Sequence, residues 1–238
     1  MNIKMNKLFA IVLTVLLFTL AGCEKDDNLV EPKEFTFNFI NNTESWAGDF
    51  ADYPNEPNVE DFYELEFSHS MLPSPLNSSE GALRQSGNNH SDDLFMFVKK
   101  RITGLEPNTN YKIDIEIEIA TNVASGSFGV GGSPGESVYI KAGASTNEPM
   151  KVLDNSDNYY RMNIDKGNQS QGGTNMKLIG DFANGSCLNV YKLKILKTTS
   201  PVNVMSNSNG ELWIIVGTDS GFEATTTIYY NRITVNVK

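Results

Sequence analysis

Cysteine and histidine are scarce in this chain, and their scarcity excludes several kinds of reactive site. The 238 residues contain two cysteines and two histidines. Too few thiols are present for a cysteine-only metal cluster. His69 and His90 are far apart in sequence and lack the spacing by which two histidines of one helix hold zinc. Cys187, in the run NGSCLNV, is expected to be a small buried core residue.

Positive charge is also scarce, which limits the partners that the surface can attract. Lysine and arginine number 19 against 29 aspartates and glutamates, so the formal net charge is −10. Proteins that bind nucleic acid neutralise phosphates with lysine and arginine. An acidic chain is poorly suited to that role or to docking on anionic headgroups. The composition favours a neutral or cationic ligand, or a metal, and argues against nucleic acid as a partner.

Long hydrophobic runs are absent except near the N-terminus, where the run is too short to cross a membrane. Leu8–Leu20 reads LFAIVLTVLLFTL, whereas a membrane-spanning helix needs about 20 apolar residues. The run follows the basic residues Lys4 and Lys7, which is the arrangement of a secretory signal peptide. We therefore expect residues 1–22 to be a signal peptide that is removed on export.

The residues that follow this run indicate a lipid anchor. The run LAGC, Leu20–Cys23, resembles the bacterial lipobox, in which the cysteine becomes the lipidated N-terminus of the mature chain. Glu24–Asp27 resembles the surface-export signal of Bacteroidetes lipoproteins, although a simple hydrophilic tether would look the same. The resemblance implies an outer-membrane protein, exposed at the cell surface, whose contact with the membrane is the lipid on Cys23. Residues 23–33 would be the acylated cysteine and a polar tether; an ordinary signal peptide with an incidental cysteine is the alternative.

Alternation of apolar and polar residues predicts β-strands along most of the remaining chain. In YKIDIEIEI, isoleucines alternate with acidic residues, which is the pattern of a half-buried strand. In TTTIYYNRITVNVK the alternation slips by one residue, and we expect a β-bulge near Asn231. Turn-forming runs separate the strands, and no stretch shows a sustained helical period. Residues 34–238 are predicted to form one all-β domain, a jelly-roll β-sandwich of about ten antiparallel strands.

Several runs resemble carbohydrate-binding-module-like, or galactose-binding-like, β-sandwich proteins. LFMFVKKRITGLEPNTNYKIDIEIEIATN resembles a strand–turn–strand pattern of these sandwiches, and ELWIIVGTDSGFEATTTIYYNRITVNV is similar to their closing strands. WAGDFADYP, SDDLFMF, GVGGSPGESVYIKAGAS and NIDKGNQSQGG resemble blocks of a bacterial family of such secreted sandwiches. The resemblance implies the fold and points to a glycan as partner, although β-sandwiches also carry unrelated activities.

The run Gly131–Gly135, GGSPG, matches the G-x-S-x-G pattern of a serine nucleophile elbow but does not meet its chemistry. The elbow takes an oxyanion donor from the N–H of the residue after the serine. Here that residue is Pro134, which has no N–H. Both histidines precede Ser133, and a strand pattern rather than a helix follows it. The run is predicted to be a turn.

Acidic residues in predicted loops and at strand ends are the best candidates for chemistry. They are Asp49, Asp52, Asp92, Asp93, Glu136 and Asp165. Hard oxygen ligands of this kind can hold a structural calcium ion, and two carboxylates about 5–9.5 Å apart can act as the acid and base of a glycosidase. Aspartates also stabilise turns by accepting hydrogen bonds from nearby N–H groups. All three roles stay open, and no catalytic residue or metal ligand is assigned.

Aromatic residues beside the first two of these acids predict a sugar site. Trp46 and Tyr53 flank Asp49 and Asp52 in a segment that reads as a loop, and a flat ring can offer its face to the C–H groups of a pyranose. Alternatively, Trp46 fills the end of the sandwich as a core residue. Trp213, in ELWIIVG, is expected in the core.

The sequence favours a non-catalytic, glycan-binding lipoprotein. The expected ligand-binding residues are Trp46, Asp49, Asp52, Tyr53, Asp92, Asp93, Asp165, Asn168 and Gln169, of which the last two are uncharged groups suited to sugar hydroxyls. A polysaccharide-active hydrolase or lyase would use two of the same carboxylates, and a structural or adhesive surface domain would bind another protein. The sequence assigns no cofactor, and the metal that the carboxylates suggest is structural calcium.

Overall fold

Antiparallel strands make up nearly all of the regular structure in residues 31–238, the part of the chain that the computed structural model describes. The predicted signal peptide, Cys23 and most of the predicted tether lie outside the described residues. The strands are β1 (Lys33–Phe37), β2 (Ala47–Ala51), β3 (Tyr53–Pro54), β4 (Glu66–Met71), β5 (Gly81–Asn88), β6 (Leu94–Ile102), β7 (Asn110–Thr121), β8 (Val138–Ser145), β9 (Lys151–Asp154), β10 (Tyr159–Met162), β11 (Met176–Asp181), β12 (Lys192–Lys197), β13 (Val202–Met205), β14 (Leu212–Ser220) and β15 (Thr225–Val237). A short helix, α1 (Val59–Phe62), lies between β3 and β4. In the described residues, no helix is long and apolar enough to span a membrane.

Two large sheets form a β-sandwich, as predicted. One has the order β12-β7-β15-β5-β4, with β1 beside β15 and β13 beside β7, and the other has the order β11-β8-β14-β6-β2. A third, small sheet has the order β3-β10-β9. The sequence predicted about ten strands, and the described residues contain more. Strands as short as β3, β9 and β13 leave no detectable period in the sequence.

The core lies between the inner faces of the two large sheets. The alternate isoleucines of Ile113–Ile119 on β7 are buried, and the acidic residues between them are partly exposed, so the predicted half-buried strand is confirmed. The sheets approach closely at Gly87 of β5, where a Cβ atom would lie 2.9 Å from Cδ2 of Leu94 on β6. Even-numbered residues of β6 therefore face the core, and odd-numbered residues face outward.

A β-bulge interrupts β15 where the sequence pattern slips. The register of β15 on β7 shifts between Tyr230 and Arg232, so Asn231 is the extra residue. Because of this bulge, Tyr230 and Ile233 are both fully buried although they have opposite parity in the chain. The Asn231 side chain donates a hydrogen bond from Nδ2 to Oε1 of Glu118 at 2.8 Å. The predicted bulge is confirmed.

Cys187 is exposed, so the prediction that it belongs to the core is wrong. It lies in a turn-rich segment between β11 and β12, where Nδ2 of Asn184 donates to the carbonyl oxygen of Leu188 at 2.9 Å. Because this segment folds back on itself instead of running as a strand, no alternation carries the Cys187 side chain into the core.

The run Gly131–Gly135 forms a turn directly before β8, as predicted. The Ser133 hydroxyl donates a hydrogen bond to the Glu136 carboxylate and accepts one from the Gly135 N–H at 3.2 Å. These hydrogen bonds close the turn, so Ser133 and Glu136 have a structural role in it.

The outer face of the five-stranded sheet is covered over part of its length. Residues 149–175, here named the cover segment, contain β9 and β10. Met162 and Ile164 of this segment pack against a cluster that includes Phe95 and Phe97 of β6. Farther along the same face, the side chain of Arg101 is 55% exposed. The cover segment therefore leaves one end of the sheet open to a ligand.

Candidate functional site

A groove lies on the uncovered part of the outer sheet face. Trp213 of β14 pairs with Arg101 of β6, and Ile215 pairs with Lys99. Because paired residues share a face and side chains alternate along a strand, Trp213, Arg101 and Lys99 all project outward. The groove has a volume of about 480 Å³. Its lining includes Ser45, Lys99, Lys100, Arg101, Glu148 and Trp213.

Trp213 borders this groove and is only half-buried. The ammonium nitrogen of Lys99 lies 5.7 Å from the centroid of the indole ring, which is within cation–π range. The prediction that Trp213 belongs to the core is wrong, because the packing of the cover segment stops at Ile215 on this strand. An aromatic side chain therefore borders the open groove.

Lys99 is fixed in position beside the indole. Its Nζ donates to Oε1 of Glu148 at 2.7 Å and to the carbonyl oxygen of Pro149 at 2.8 Å. The Lys99 side chain is 11% exposed. These bonds tie the start of the cover segment to β6, and they set the position of the Glu148 carboxylate at the edge of the groove.

Of the next two residues of β6, Arg101 projects into the groove, whereas the Lys100 side chain projects to the opposite face, over the Phe37 ring. Lys100 donates from Nζ to the carbonyl oxygen of Glu44 at 2.6 Å, and burial lowers the pKa of its ammonium group. Nη1 of Arg101 lies 3.5 Å from Oε1 of Glu211. The groove thus combines the Trp213 side chain with the exposed Arg101 guanidinium, which can bind oxygen atoms of a ligand.

Trp46 lies in the core and not in a sugar site. It is 2% exposed, and its ring meets the rings of Phe37 and Phe39 edge-on, with centroid distances of 5.4 Å and 6.1 Å. A buried ring has no free face for a pyranose, so the expectation that Trp46 contacts a ligand is corrected. The core alternative considered for Trp46 is the one the structure adopts, and Trp213 is the half-buried tryptophan.

Tyr53 and Asp49 lie on strands and not in a loop. Tyr53 belongs to β3 and is fully buried, and Asp49 belongs to β2. Both contact Lys151 of β9, whose Nζ donates to the Tyr53 hydroxyl at 2.6 Å and lies 3.5 Å from Oδ1 of Asp49. Burial raises the pKa of the Tyr53 hydroxyl. These residues attach the cover segment to the sheet, and the buried Tyr53 ring cannot stack on a sugar.

The other expected site residues gather around a network of ion pairs beneath the cover segment. At its centre, Nζ of Lys141 lies 2.6 Å from Oδ2 of Asp219, and neither side chain is exposed. Nζ of Lys166 lies 2.9 Å from the same oxygen and 3.0 Å from Oδ2 of Asp52. Burial alone would raise the pKa of Asp219, but the ammonium groups of Lys166 and Lys141 bring it below its usual value. We name this cluster the ion network.

Asp93 lies at the solvent edge of the ion network, and Asp52 is buried beside it. Nη1 of Arg161 lies 3.2 Å from Oδ1 of Asp52 and 3.9 Å from Oδ2 of Asp93. Burial raises the pKa of Asp93 to about 7; Lys166 opposes this rise, and the carboxylates of Asp219 and Asp52 add to it. Asp93 is therefore a carboxyl group that exchanges a proton near neutral pH.

A pocket of about 260 Å³ lies beside the ion network. Its lining includes Asp52, Asp93, Asp165 and Asn168. Gln169 connects the neighbouring loops: its N–H donates to Oδ2 of Asp219 at 2.9 Å, and its Nε2 donates to the carbonyl oxygen of Asp92 at 2.9 Å. The structure therefore brings together Asp52, Asp92, Asp93, Asp165, Asn168 and Gln169, and it separates them from Trp46.

Asp165 closes its own loop. Its Oδ1 accepts the N–H of Gly167 at 3.0 Å, and its Oδ2 accepts the N–H of Thr174 at 2.8 Å. These backbone N–H groups lower the pKa of the Asp165 carboxyl. The turn-stabilising role that the sequence left open is the one that these bonds support.

Three carboxylates of the ion network are close enough together to share a cation. Asp52, Asp93 and Asp219 each have an oxygen within 4.8 Å of the others. The Lys166 ammonium group already lies 3.0 Å and 2.9 Å from two of these carboxylates. A calcium ion binds six to eight oxygens and would compete with Lys166 for them. The donor set thus suits the lysine ammonium, and the calcium site suggested by the sequence stays a prediction.

The sequence interpretation missed the residues that build the groove and the centre of the ion network. Lys99 and Arg101 stand in FMFVKKRI, where an apolar run turns basic inside a strand. Lys141 and Asp219 stand among apolar or small neighbours in SVYIKAGAS and LWIIVGTDS. A charged residue in such a run needs a partner when it is buried. The signal available in the sequence was therefore a charged residue inside an apolar run, which indicates a buried ion pair.

Comparisons with known proteins concern the fold. No family model matches the chain, and no curated protein matches it. Among solved structures it is similar to TmCBM61 in complex with β-1,4-galactotriose (7% identity, 82% of this chain and 89% of that chain, TM-score 0.38) and to the mannan-recognising carbohydrate-binding module TmCBM27 (12%, 88% and 99%, TM-score 0.38). It is also similar to the K3 cleaved adhesin domain of Lys-gingipain from Porphyromonas gingivalis (8%, 87% and 99%, TM-score 0.40). Because these identities are low, function has to be inferred from the chain's own side chains.

Proposed function

We propose that this protein is a non-catalytic module that binds a glycan in the Trp213 groove. The observation that carries the proposal is the half-buried Trp213 at the border of a groove of about 480 Å³. An aromatic ring packs on the C–H face of a pyranose. The hydroxyls of Ser45 and Thr103 and the Glu148 carboxylate line the same groove and can bind sugar hydroxyls.

The charged groups of the groove favour binding without turnover. Glycoside hydrolysis in most families uses two carboxyl groups on opposite sides of the scissile bond. Among the described residues that line the groove, Glu148 is the one acid. Its Oε1 accepts a hydrogen bond from Lys99 at 2.7 Å, so this carboxylate is already held in an ion pair. The groove therefore lacks the acid–base pair of a typical glycosidase.

We also propose that the protein is held on the outer membrane by a lipid on Cys23 and is exposed at the cell surface. The supporting observations are the lipobox-like run Leu20–Cys23 and the run Glu24–Asp27, in which a lysine stands among acidic residues. Two or more acyl chains hold a protein stably on a membrane. The sandwich itself would then meet glycans without contacting lipid.

A polysaccharide-active enzyme is the second candidate, and one observation favours it. Asp93 has a pKa raised to about 7 and borders the smaller pocket together with Asp52. A carboxyl group of this kind suits a general acid. If this candidate is correct, Asp93→Asn abolishes turnover of a polysaccharide and preserves its binding; unchanged turnover in Asp93→Asn would exclude it.

The proposed function is tested by measuring binding to a panel of soluble glycans for the wild-type protein and for Trp213→Ala. We expect the variant to lose at least tenfold in affinity for the glycan that binds, which corresponds to about 1.4 kcal/mol. Phe128→Ala is the matched control, because Phe128 is a fully exposed aromatic residue that does not line the groove. Equal affinity of Trp213→Ala and wild-type protein would contradict the proposal.

A further inference from the structure

The two cations that project into the groove each have a carboxylate partner. Nζ of Lys99 lies 2.7 Å from Oε1 of Glu148, and Nη1 of Arg101 lies 3.5 Å from Oε1 of Glu211. The two positive and two negative charges therefore balance at this face of the sheet. A bound molecule responds mainly to charges within about 8–10 Å at physiological salt. A ligand of the groove thus meets a surface that is polar but carries no excess charge.

The third basic residue of this part of β6, Lys100, does not alter the balance. Side chains alternate along a strand, and Lys100 stands between two outward-facing residues, so its side chain projects to the opposite face. There its Nζ lies 5.2 Å from the centroid of the Phe37 ring and donates to the carbonyl oxygen of Glu44. A ligand that packs against Trp213 therefore does not contact the Lys100 ammonium group.

Both ion pairs keep hydrogen-bonding groups that a sugar hydroxyl can use. The Glu148 side chain is 41% exposed, and its Oε2 has no hydrogen-bond partner among residues 31–238. The Arg101 side chain is 55% exposed, and its contact with Glu211 runs through Nη1, whereas a guanidinium group has five N–H donors. A hydroxyl group both donates and accepts, so it can donate to Glu148 and accept from Arg101.

A charged ligand would meet repulsion at these same groups. An anionic group beside Trp213 would approach the exposed Glu148 carboxylate, and both cations that could bind it already have a carboxylate partner. A cationic group would approach the exposed Arg101 guanidinium. Like charges placed side by side reduce the affinity of a complex. A hydroxyl group meets neither repulsion, so the groove favours a ligand without charge.

We infer that the Trp213 groove selects an uncharged glycan, and that Glu148 and Glu211 are the residues that exclude acidic ones. This inference rests on the proposed function, because it names the ligand class of the same groove. Glu211 acts through Arg101, and its own carboxylate is held in place because Oε2 accepts a hydrogen bond from Nδ2 of Asn207 at 3.2 Å. The inference narrows the expectation from composition, which allowed a neutral or a cationic ligand.

The experiment uses oligosaccharides that differ in charge at a single carbon of each sugar. Neutral mannan, galactan and glucan oligosaccharides are measured by titration calorimetry at physiological salt. Each is compared with a form that carries a carboxylate in place of the primary alcohol, with the methyl ester of that carboxylate, and with a form that carries an ammonium group there. The methyl ester is at least as large as the carboxylate but lacks its charge, so the difference between these two reports charge and not size.

Two variants test the carboxylates that exclude acidic ligands. Glu148→Gln and Glu211→Gln each release one cation of the groove from its partner, while the amide keeps the size of the side chain. Glu223→Gln is the control, because it removes the same charge from an exposed residue that follows β14 and does not line the groove.

We expect a neutral oligosaccharide to bind about tenfold more tightly than its carboxylate form, and the methyl ester to recover most of this loss. Glu148→Gln and Glu211→Gln should each narrow the difference between ester and carboxylate by about threefold, and Glu223→Gln should leave it unchanged. Equal affinity of ester and carboxylate, or tighter binding of either charged form, would overturn the inference and keep the proposed function if binding depends on Trp213. An equal narrowing in Glu223→Gln would reduce the effect to net charge and overturn the inference. Absence of binding to every form would overturn both.

Discussion

The ammonium nitrogen of Lys141 lies 2.6 Å from Oδ2 of Asp219, and neither side chain is exposed to solvent. The two residues belong to β8 and β14, which are neighbours in the five-stranded sheet. A charge buried without a partner costs several kcal/mol, so each residue makes the burial of the other tolerable. Lys166 of the cover segment pairs with the same Asp219 carboxylate. The buried pair therefore helps to hold the cover segment on the sheet.

Removing the negative charge of this pair should destabilise the fold. In Asp219→Asn, Lys141 and Lys166 lose their shared carboxylate while both stay buried. We expect the free energy of unfolding to fall by about 3–5 kcal/mol, measured by urea denaturation followed by circular dichroism.

The exposed ion pair between Lys238 and Asp114 provides the control for this loss. Its side chains are 56% and 34% exposed, and pairs in water contribute about 0–1 kcal/mol. Lys238→Gln should therefore change the free energy of unfolding only slightly. A similar loss in Asp219→Asn and Lys238→Gln would show that the buried pair has no special role.

Asp93 should make stability depend on pH in a defined direction. Folding raises the pKa of this acid from 3.8 to about 7, so the folded state binds the proton more tightly than the unfolded state. The contribution of Asp93 is therefore fully present below pH 3.8 and is lost as the pH rises towards about 7. Asp93→Asn, which cannot ionise, should gain in melting temperature relative to wild type across this range.

The pH dependence is read as a difference between variant and wild type, because Asp52, Asp219, Lys166 and Arg161 also face this carboxyl group. Subtracting the two melting curves at each pH removes groups that titrate equally in both proteins. A difference that does not change with pH would mean that Asp93 ionises at its ordinary pKa.

Lys166 should decide how the ion network responds to calcium. Its ammonium group lies among the carboxylates that could hold an ion. In Lys166→Ala these carboxylates lose a positive partner, and a bound cation would raise stability by mass action. We expect calcium to raise the melting temperature of Lys166→Ala and to leave wild type unchanged. A rise in wild-type protein that a chelator reverses would instead establish a resident calcium site.

Local sequence patterns predicted the sheets well. The alternation in Ile113–Ile119 and the slip at Asn231 both concern neighbouring residues, and side-chain parity along a strand follows directly from chain geometry. The structure confirms the half-buried strand and the bulge. These features depend on short-range order, which the sequence shows without knowledge of the partner strand.

The two tryptophans show where such reasoning stops. The sequence suggested Trp46 for a ligand-binding loop and Trp213 for the core, yet Trp46 is buried against Phe37 and Trp213 borders a groove. The difference arises because a strand has two faces, and the coverage of the outer face depends on where the cover segment packs. That packing is a contact between residues distant in sequence, and no local period encodes it.

The sequence predicted the acidic candidates themselves but not their surroundings, because their partners are distant in sequence. Asp52, Asp93 and Asp165 were recognised as loop or strand-end carboxylates, and the structure brings them to one pocket. Their partners Lys141 and Lys166 come from other parts of the chain. The sequence could therefore indicate the acids but not that lysines neutralise them.

The most direct test of the central claim is acrylamide quenching of tryptophan fluorescence with and without a bound glycan. The chain has two tryptophans: Trp46 is 2% exposed, and Trp213 is half-buried at the groove. In Trp46→Phe, where Trp213 is the sole reporter, a glycan that binds in the groove should shift the emission and reduce quenching. In Trp213→Phe the same glycan should bind more weakly and leave the emission of Trp46 unchanged. Glycan binding detected by calorimetry without any change in the Trp213 emission or quenching would contradict the account.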